Sequence, residues 1–158
     1  MGAQADWKTR YPDLQVVGTG VLKVFFMDIY SLTLYSKERN YGVGDYFALE
    51  FDYKKSVSKE IIVDASMDEL AKIANVDSVE MKAWKQLLEK GIIDMQAGEK
   101  ASVVFSKSGD VEFWSENREL IAFQDLKFDE NFAAIWLGPQ TSRPKLRSAL
   151  LGENSQNN

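Results

Sequence analysis

GTGVLKVFFMDIYSLTLY, residues 18–35, is the stretch that decides how this chain folds. Its apolar residues alternate and it is rich in β-branched and aromatic side chains, so it reads as strand rather than helix. Leu22, Val24 and Phe26 share one face of its first half, with Val21, Lys23 and Phe25 on the other, while Tyr30, Leu32 and Leu34 share a face of its second half. The two strands meet near Met27 and Asp28. Gly18 and Gly20 permit a bend or bulge at the entry. Bulky apolar residues on both faces predict a sheet covered on both sides for much of its length.

Upstream, Leu14 to Val17 begins the strand, and residues 1–13, punctuated by Pro12, have no periodicity. They are expected to form a flexible arm from which Trp7 and Tyr11 pack back on the body. Ala3-Gln4-Ala5 has the small-x-small form of a signal-peptidase site, with any leader removed and replaced by Met1-Gly2. That places the protein in the periplasm or outside the cell in preference to the cytoplasm; an ordinary N-terminus reads equally from the same three residues.

Downstream, the polar segment Ser36 to Asp45 is a connection, and Tyr46 to Tyr53 alternates as a strand. At Ser56 the period changes. Ser58 is an N-cap for a helix carrying Val63, Met67, Leu70, Ala71 and Ala74. Asp77 and Glu80 form a capping-box-like start to a second helix with Met81, Trp84, Leu87 and Leu88 on its apolar stripe, and Gly91 ends it in a left-handed conformation. The strand period returns in 101–106 and 111–114 around the hairpin loop 107–110, and again in 120–123 after a turn at Asn117. Asp125 or Asp129 opens a helix carrying Phe132, Ile135 and Trp136, stopped by Gly138-Pro139. Ser142 caps a short helix from Pro144 to Gly152, and residues 153–158 form a loose polar tail. Strands, two helices, more strands and two helices make one α+β domain over residues 14–152.

The chain of 158 residues carries a formal net charge of −5 and has neither Cys nor His. An acidic chain without a concentrated basic face is not a nucleic-acid binder. Without Cys and His there is no thiolate or zinc-finger metal site and no Ser-His-Asp triad, so acid or base work would fall to Asp, Glu, Lys or Tyr. No apolar run approaches the ~20 residues that cross a bilayer. Gly18-Thr19-Gly20 lacks the helix and third glycine of a dinucleotide site. No cofactor or metal is expected, and Asp125, Asp129 and Glu130 read as helix-terminal caps and dipole partners. Asp28, inside an apolar run, is either a turn residue or a buried base. The aromatics between Phe25 and Trp114 either line a hydrophobic cavity or fill it.

Three segments together carry a resemblance: GTGVLKVFFMDIYSLTLY, FDYKKSVSKEIIVDA and AIWLGPQTSRPKLRSALLG. In this order and spacing they resemble the chalcone isomerase and chalcone-isomerase-like family, in the layout of its bacterial branch, from about Val16 to Gly152. The resemblance implies an open-faced β-sandwich, a large antiparallel sheet backed by a layer of helices. It also implies a cleft between sheet and helices, where the plant enzymes cyclise a chalcone with the help of an arginine after the Gly-Val of the first segment. Here that arginine position is Leu22, and alternation aims the neighbouring Lys23 at the opposite face. The family's other cleft positions fall on Tyr30, Ser58, Ala65 and Ile135.

Chalcone cyclisation is therefore not expected. The resemblance points instead to a non-enzymatic domain holding a small apolar molecule in a cleft lined by Leu22, Tyr30, Ser58, Ala65 and Ile135. Non-catalytic relatives bind fatty acids there, although a carboxylate beside Leu22 lacks the family's arginine. Two other readings stand beside this one. The first is an isomerase or lyase of altered chemistry using Tyr30, Lys23 or Asp28, and the second a structural or partner-binding protein without ligand, marked by an exposed apolar patch.

Overall fold

Period-two alternation along 14–53 and 100–124 produces, among the described residues, six strands paired in chain order. The computed structural model describes residues 6–116 and 118–153; the Ala3–Ala5 site, the turn at Asn117 and the tail beyond Glu153 lie outside them. The strands are β1 (Leu14–Val24), β2 (Met27–Lys37), β3 (Tyr46–Tyr53), β4 (Lys100–Ser106), β5 (Asp110–Ser115) and β6 (Arg118–Gln124), each antiparallel to the next. Helices α2 (Lys59–Ile73) and α3 (Ser78–Gly91) are inserted between β3 and β4, and α4 (Leu126–Leu137) and α5 (Pro144–Leu150) follow β6. This is the expected α+β architecture, an open antiparallel sheet with a helical layer.

The helices start where local chemistry satisfies their first N–H groups. Ser58 Oγ accepts from Ile61 N at 3.3 Å, Asp77 from Glu80 N at 2.9 Å and Asp125 from Phe128 N at 3.0 Å. So it is Asp125 that opens α4, while Asp129 is buried within its first turn. Ser142 does not cap α5: Arg143 holds the N-cap position and the Ser142 hydroxyl donates to Glu69 at 2.8 Å. Gly91 does not end α3 in a left-handed conformation either. It is glycine because a Cβ there would come within 2.7 Å of the Phe113 ring.

Helices cover one face of the sheet. Leu32, Leu34, Leu49, Phe51, Val103, Phe105 and Phe113 meet Leu70, Trp84, Leu88, Phe128, Phe132 and Trp136 in one core. Each fully buried large side chain contributes about 1.5–3 kcal/mol of burial free energy. α5 crosses β1 so closely that a Cβ on Gly18 would lie 2.1 Å from the Ala149 carbonyl oxygen, and one on Gly20 2.6 Å from Leu146 Cδ1. The expected bulge is also present, at Val17, where the β1–β2 register shifts between Val16 and Gly18.

The other face is not covered along its length. Within the stretch read as a flexible arm, residues Trp7–Arg10 form a single helical turn, α1, which sets Trp7 on Ala48, Val104 and Trp114, with Tyr11 and Tyr35 beside them. Trp7 is 2% exposed. Below it Glu112 accepts from Tyr11 (2.8 Å) and Trp114 (3.0 Å), so this small outer cluster is pinned to a buried carboxylate.

The β1–β2 hairpin turns two residues earlier than its pattern indicates. Phe25 and Phe26, both with positive φ (51° and 67°), form the turn, and Val24 pairs with Met27. A second register shift leaves Ile29 unpaired between the Leu22–Tyr30 and Lys23–Asp28 pairs. Phe26, expected on the face of Leu22 and Val24, is instead 99% exposed.

Candidate functional site

Between the inner face of the sheet and helices α2, α4 and α5 the packing leaves a cleft of about 700 Å³. That is within the usual range of small-molecule sites. Hydrophobic periodicity brings its walls together: Leu22, Val24, Met27 and Ile29 from the hairpin, Phe51 and Tyr53 from β3, Ile62 and Ala65 from α2. Ile135 and Trp136 of α4, Leu146 of α5, and Ile92 and Met95 after α3 complete it.

Of the five positions named from the sequence, Leu22, Tyr30, Ala65 and Ile135 line this cleft. Leu22 and Tyr30 are direct cross-strand partners. Ser58 does not line it, because its hydroxyl is spent on the first turn of α2 and its side chain belongs to the chain's entry into that helix. Of the aromatics in the same question, Tyr30, Phe51, Tyr53 and Phe113 reach the cleft, Trp114 packs with Trp7 on the other face of the sheet, Phe47 lines a separate cavity, and Phe25 and Phe26 protrude at the hairpin tip.

Tyr30 brings a buried hydroxyl to the lining. Its hydroxyl accepts the Trp136 indole N–H at 3.0 Å, and it is buried. Burial pushes its pKa up to about 12, against the opposing influence of the Trp136 N–H and the Arg143 charge. Burial likewise raises that of Tyr53. Both phenols are neutral at physiological pH and donate or accept a hydrogen bond without acting as bases.

Lys23 and Asp28 do not face the cleft. They pair with each other at 2.6 Å on the outer side of the hairpin, both partly exposed. Asp28 is thus neither buried nor a base aimed at a substrate. Three residues invoked for altered catalysis are therefore divided: one is a neutral phenol inside, and two form an ion pair outside.

Charge stands at the rim. Arg143, from the loop before α5, donates from Nη1 to the Lys23 carbonyl at 3.2 Å and lines the cleft beside Leu22. A guanidinium reaches the neighbourhood of the leucine from another element. Glu69 accepts from Ser142 (2.8 Å) and pairs with Lys72 (3.1 Å), and Lys55 and Asp68 also lie on the lining. Arg118 enters the lining from β6 and donates to the Gly91 carbonyl at 2.9 Å. From the sequence Arg143, grouped with Lys145 and Arg147, reads as solvated surface and Arg118 carries no signal; the Ser-x-Pro segment that holds Arg143 is the one pointer to its place.

A second cavity of about 420 Å³ lies toward the opposite ends of the strands, between Tyr41, Phe47 and α4. Asp129 is in its wall, 6% exposed, and burial pushes its pKa up to about 7 with help from the Glu130 charge.

Comparison with known proteins agrees with this layout. The family model described as chalcone isomerase-like matches residues 3–152. Among solved structures, a fatty-acid binding protein of Arabidopsis thaliana superposes with a TM-score of 0.65 at 8% sequence identity, over 91% of this chain and 89% of that one. At such identity the likeness is one of fold. No curated protein matches the chain by sequence.

Proposed function

The chain belongs to the chalcone isomerase-like family, and on that premise we propose that it is a non-enzymatic member that binds a lipid-like molecule in the 700 Å³ cleft. The observation that carries this reading is the division of the cleft into a mainly apolar wall and a charged rim. The wall is aliphatic and aromatic, Leu22 among its residues where the resemblance sets the family's arginine, and Arg143 stands at the mouth. An elongated apolar tail would occupy the wall, and an acidic head would meet Arg143 at the mouth, where water still reaches it. A chain of ten methylenes would gain roughly 8 kcal/mol by such burial before the costs of ordering.

A fatty acid fits that description, and the similarly folded protein named above is a fatty-acid binding protein. Leu22, Tyr30, Ala65 and Ile135 are assigned to the tail and Arg143 to the carboxylate. A catalytic reading is less well supported, since a phenol pushed up to about 12 is a poor base near neutrality and Lys23 and Asp28 are turned away. The reading extends to membership of the bacterial branch and to an exported location.

Native mass spectrometry of protein purified from its own host tests the proposal. A co-purifying species of lipid mass is expected. A clean apo mass, together with no saturable binding of a fluorescent fatty acid such as cis-parinaric acid, would overturn it.

A further inference from the structure

At the end of the β1–β2 hairpin the chain does something that its sequence makes costly. Phe25 and Phe26 occupy both central positions of a two-residue turn with φ of 51° and 67°. Such turns are the province of Asn-Gly and Gly-Gly, because the left-handed region is unfavourable for side chains with a Cβ. The two rings are 87% and 99% exposed, more than any other large apolar side chain among the described residues. Glu38 and Arg39 form the other left-handed non-glycine pair, and there the side chains are charged and suited to water. At 25–26 the sequence accepts backbone strain and solvent-exposed aromatic surface at one point.

That point adjoins the cleft. Val24 and Met27, the residues flanking the turn, line its mouth, and Ile61 of α2, 60% exposed, lines it from across. Met27 is 48% exposed. Behind this apolar rim stand charged side chains of both signs: the Lys23–Asp28 pair, Arg143, Lys55 and the Glu69–Lys72 pair.

We propose that the Phe25-Phe26 turn inserts into the surface of a lipid bilayer and brings the mouth of the cleft against it. The role rests on the cleft being a lipid site and adds where its ligand enters and leaves. Two rings on a narrow turn present a point rather than a face. A protein partner would need a shaped pocket to bury it, whereas the acyl boundary of a bilayer closes around any apolar point, and long cationic side chains behind it reach the headgroups. With the mouth immediately behind, an apolar ligand passes between membrane and cleft without crossing water. The chain's net charge of −5 makes a zwitterionic bilayer the appropriate partner.

The test uses the full chain and phosphatidylcholine vesicles. Wild-type protein is expected to float with the vesicles. Phe25→Asn combined with Phe26→Gly, which supplies the residues such a turn prefers, is expected to lower partitioning at least about tenfold while raising the melting temperature. Loss of binding in a more stable protein cannot be ascribed to misfolding. Because the chain has no cysteine, a single Phe26→Cys variant carrying a polarity-sensitive dye reports the position directly. Its emission is expected to shift to the blue on addition of vesicles, and that of Ser108→Cys, at the opposite end of the sheet, to stay unchanged. Absence of flotation, flotation retained by the double variant, or a wild-type dimer in sedimentation velocity that the double variant loses would each overturn the proposal, the last in favour of a second copy of the chain. Ligand retention by native mass spectrometry and binding of cis-parinaric acid are measured separately, so a protein that floats but neither carries nor binds such a ligand overturns the cleft reading alone.

Discussion

Trp136 donates its indole N–H to the Tyr30 hydroxyl at 3.0 Å, joining α4 to β2 across 106 positions of sequence at the floor of the cleft. Both residues are buried, so this bond closes a polar pair that would otherwise be stranded in an apolar wall.

Tyr30→Phe leaves the Trp136 N–H buried without an acceptor and is expected to cost about 1–3 kcal/mol of stability. Adding Trp136→Phe should cost less in that background than in the wild type, because no donor is then stranded. Urea denaturation of the four proteins in a double-mutant cycle checks this; strictly additive effects would show that the bond contributes no coupling.

Gly18→Ala places a Cβ 2.1 Å from a backbone oxygen of α5, where nothing can yield except the helix itself. A loss of about 1–3 kcal/mol or more is expected. Gly20→Ala meets the end of the Leu146 side chain at 2.6 Å, which can rotate away. The two variants should therefore rank Gly18→Ala well below Gly20→Ala in urea midpoint.

Asp129 has its pKa raised to about 7 from an ordinary 3.8 by burial and by the Glu130 charge. Between these values the folded protein holds a proton there that the unfolded chain has released, so this group's contribution to stability is full below about pH 4 and is lost as pH rises to about 7. Asp129→Asn should flatten that part of the profile and raise the melting temperature at pH 8 more than at pH 4.5. Thermal unfolding of both proteins across pH 4–8 measures it.

Arg143→Gln removes the cation at the mouth and is expected to weaken fatty-acid binding by roughly tenfold or more while leaving the matching fatty alcohol almost unaffected. Ala65→Trp fills the wall and should abolish both. Displacement of cis-parinaric acid reads the two affinities, and equal losses for acid and alcohol in Arg143→Gln would remove Arg143 from the head-group role.

Strand faces were legible because side-chain direction in a strand is set by the residue's own parity. Tyr30, Leu32 and Leu34 share the buried face, as alternation requires. Helix starts were legible at Ser58 and Asp77, and narrowed to Asp125 or Asp129 for α4, for the same local reason: a side-chain oxygen finds an N–H three residues on. Errors arose where a local signal had a distant owner. Gly91 looked like a helix terminator and instead seats the Phe113 ring, and Ser142 looked like a cap and instead donates to Glu69. The turn at Phe25-Phe26 was missed because the residues there contradict the usual chemistry of such turns.

The sequence by itself determined the α+β element order and the family, since both depend on residue type and spacing along the chain. Only the tertiary structure decided that a cleft exists, that Ser58 is outside it, and that Arg143 approaches Leu22 from 120 positions downstream of Lys23. The physical reason is that periodicity specifies which way a side chain points, whereas a cavity and its rim depend on how closely separate elements pack. Here that closeness is set by contacts such as α5 against Gly18 and Gly20, which no local pattern records.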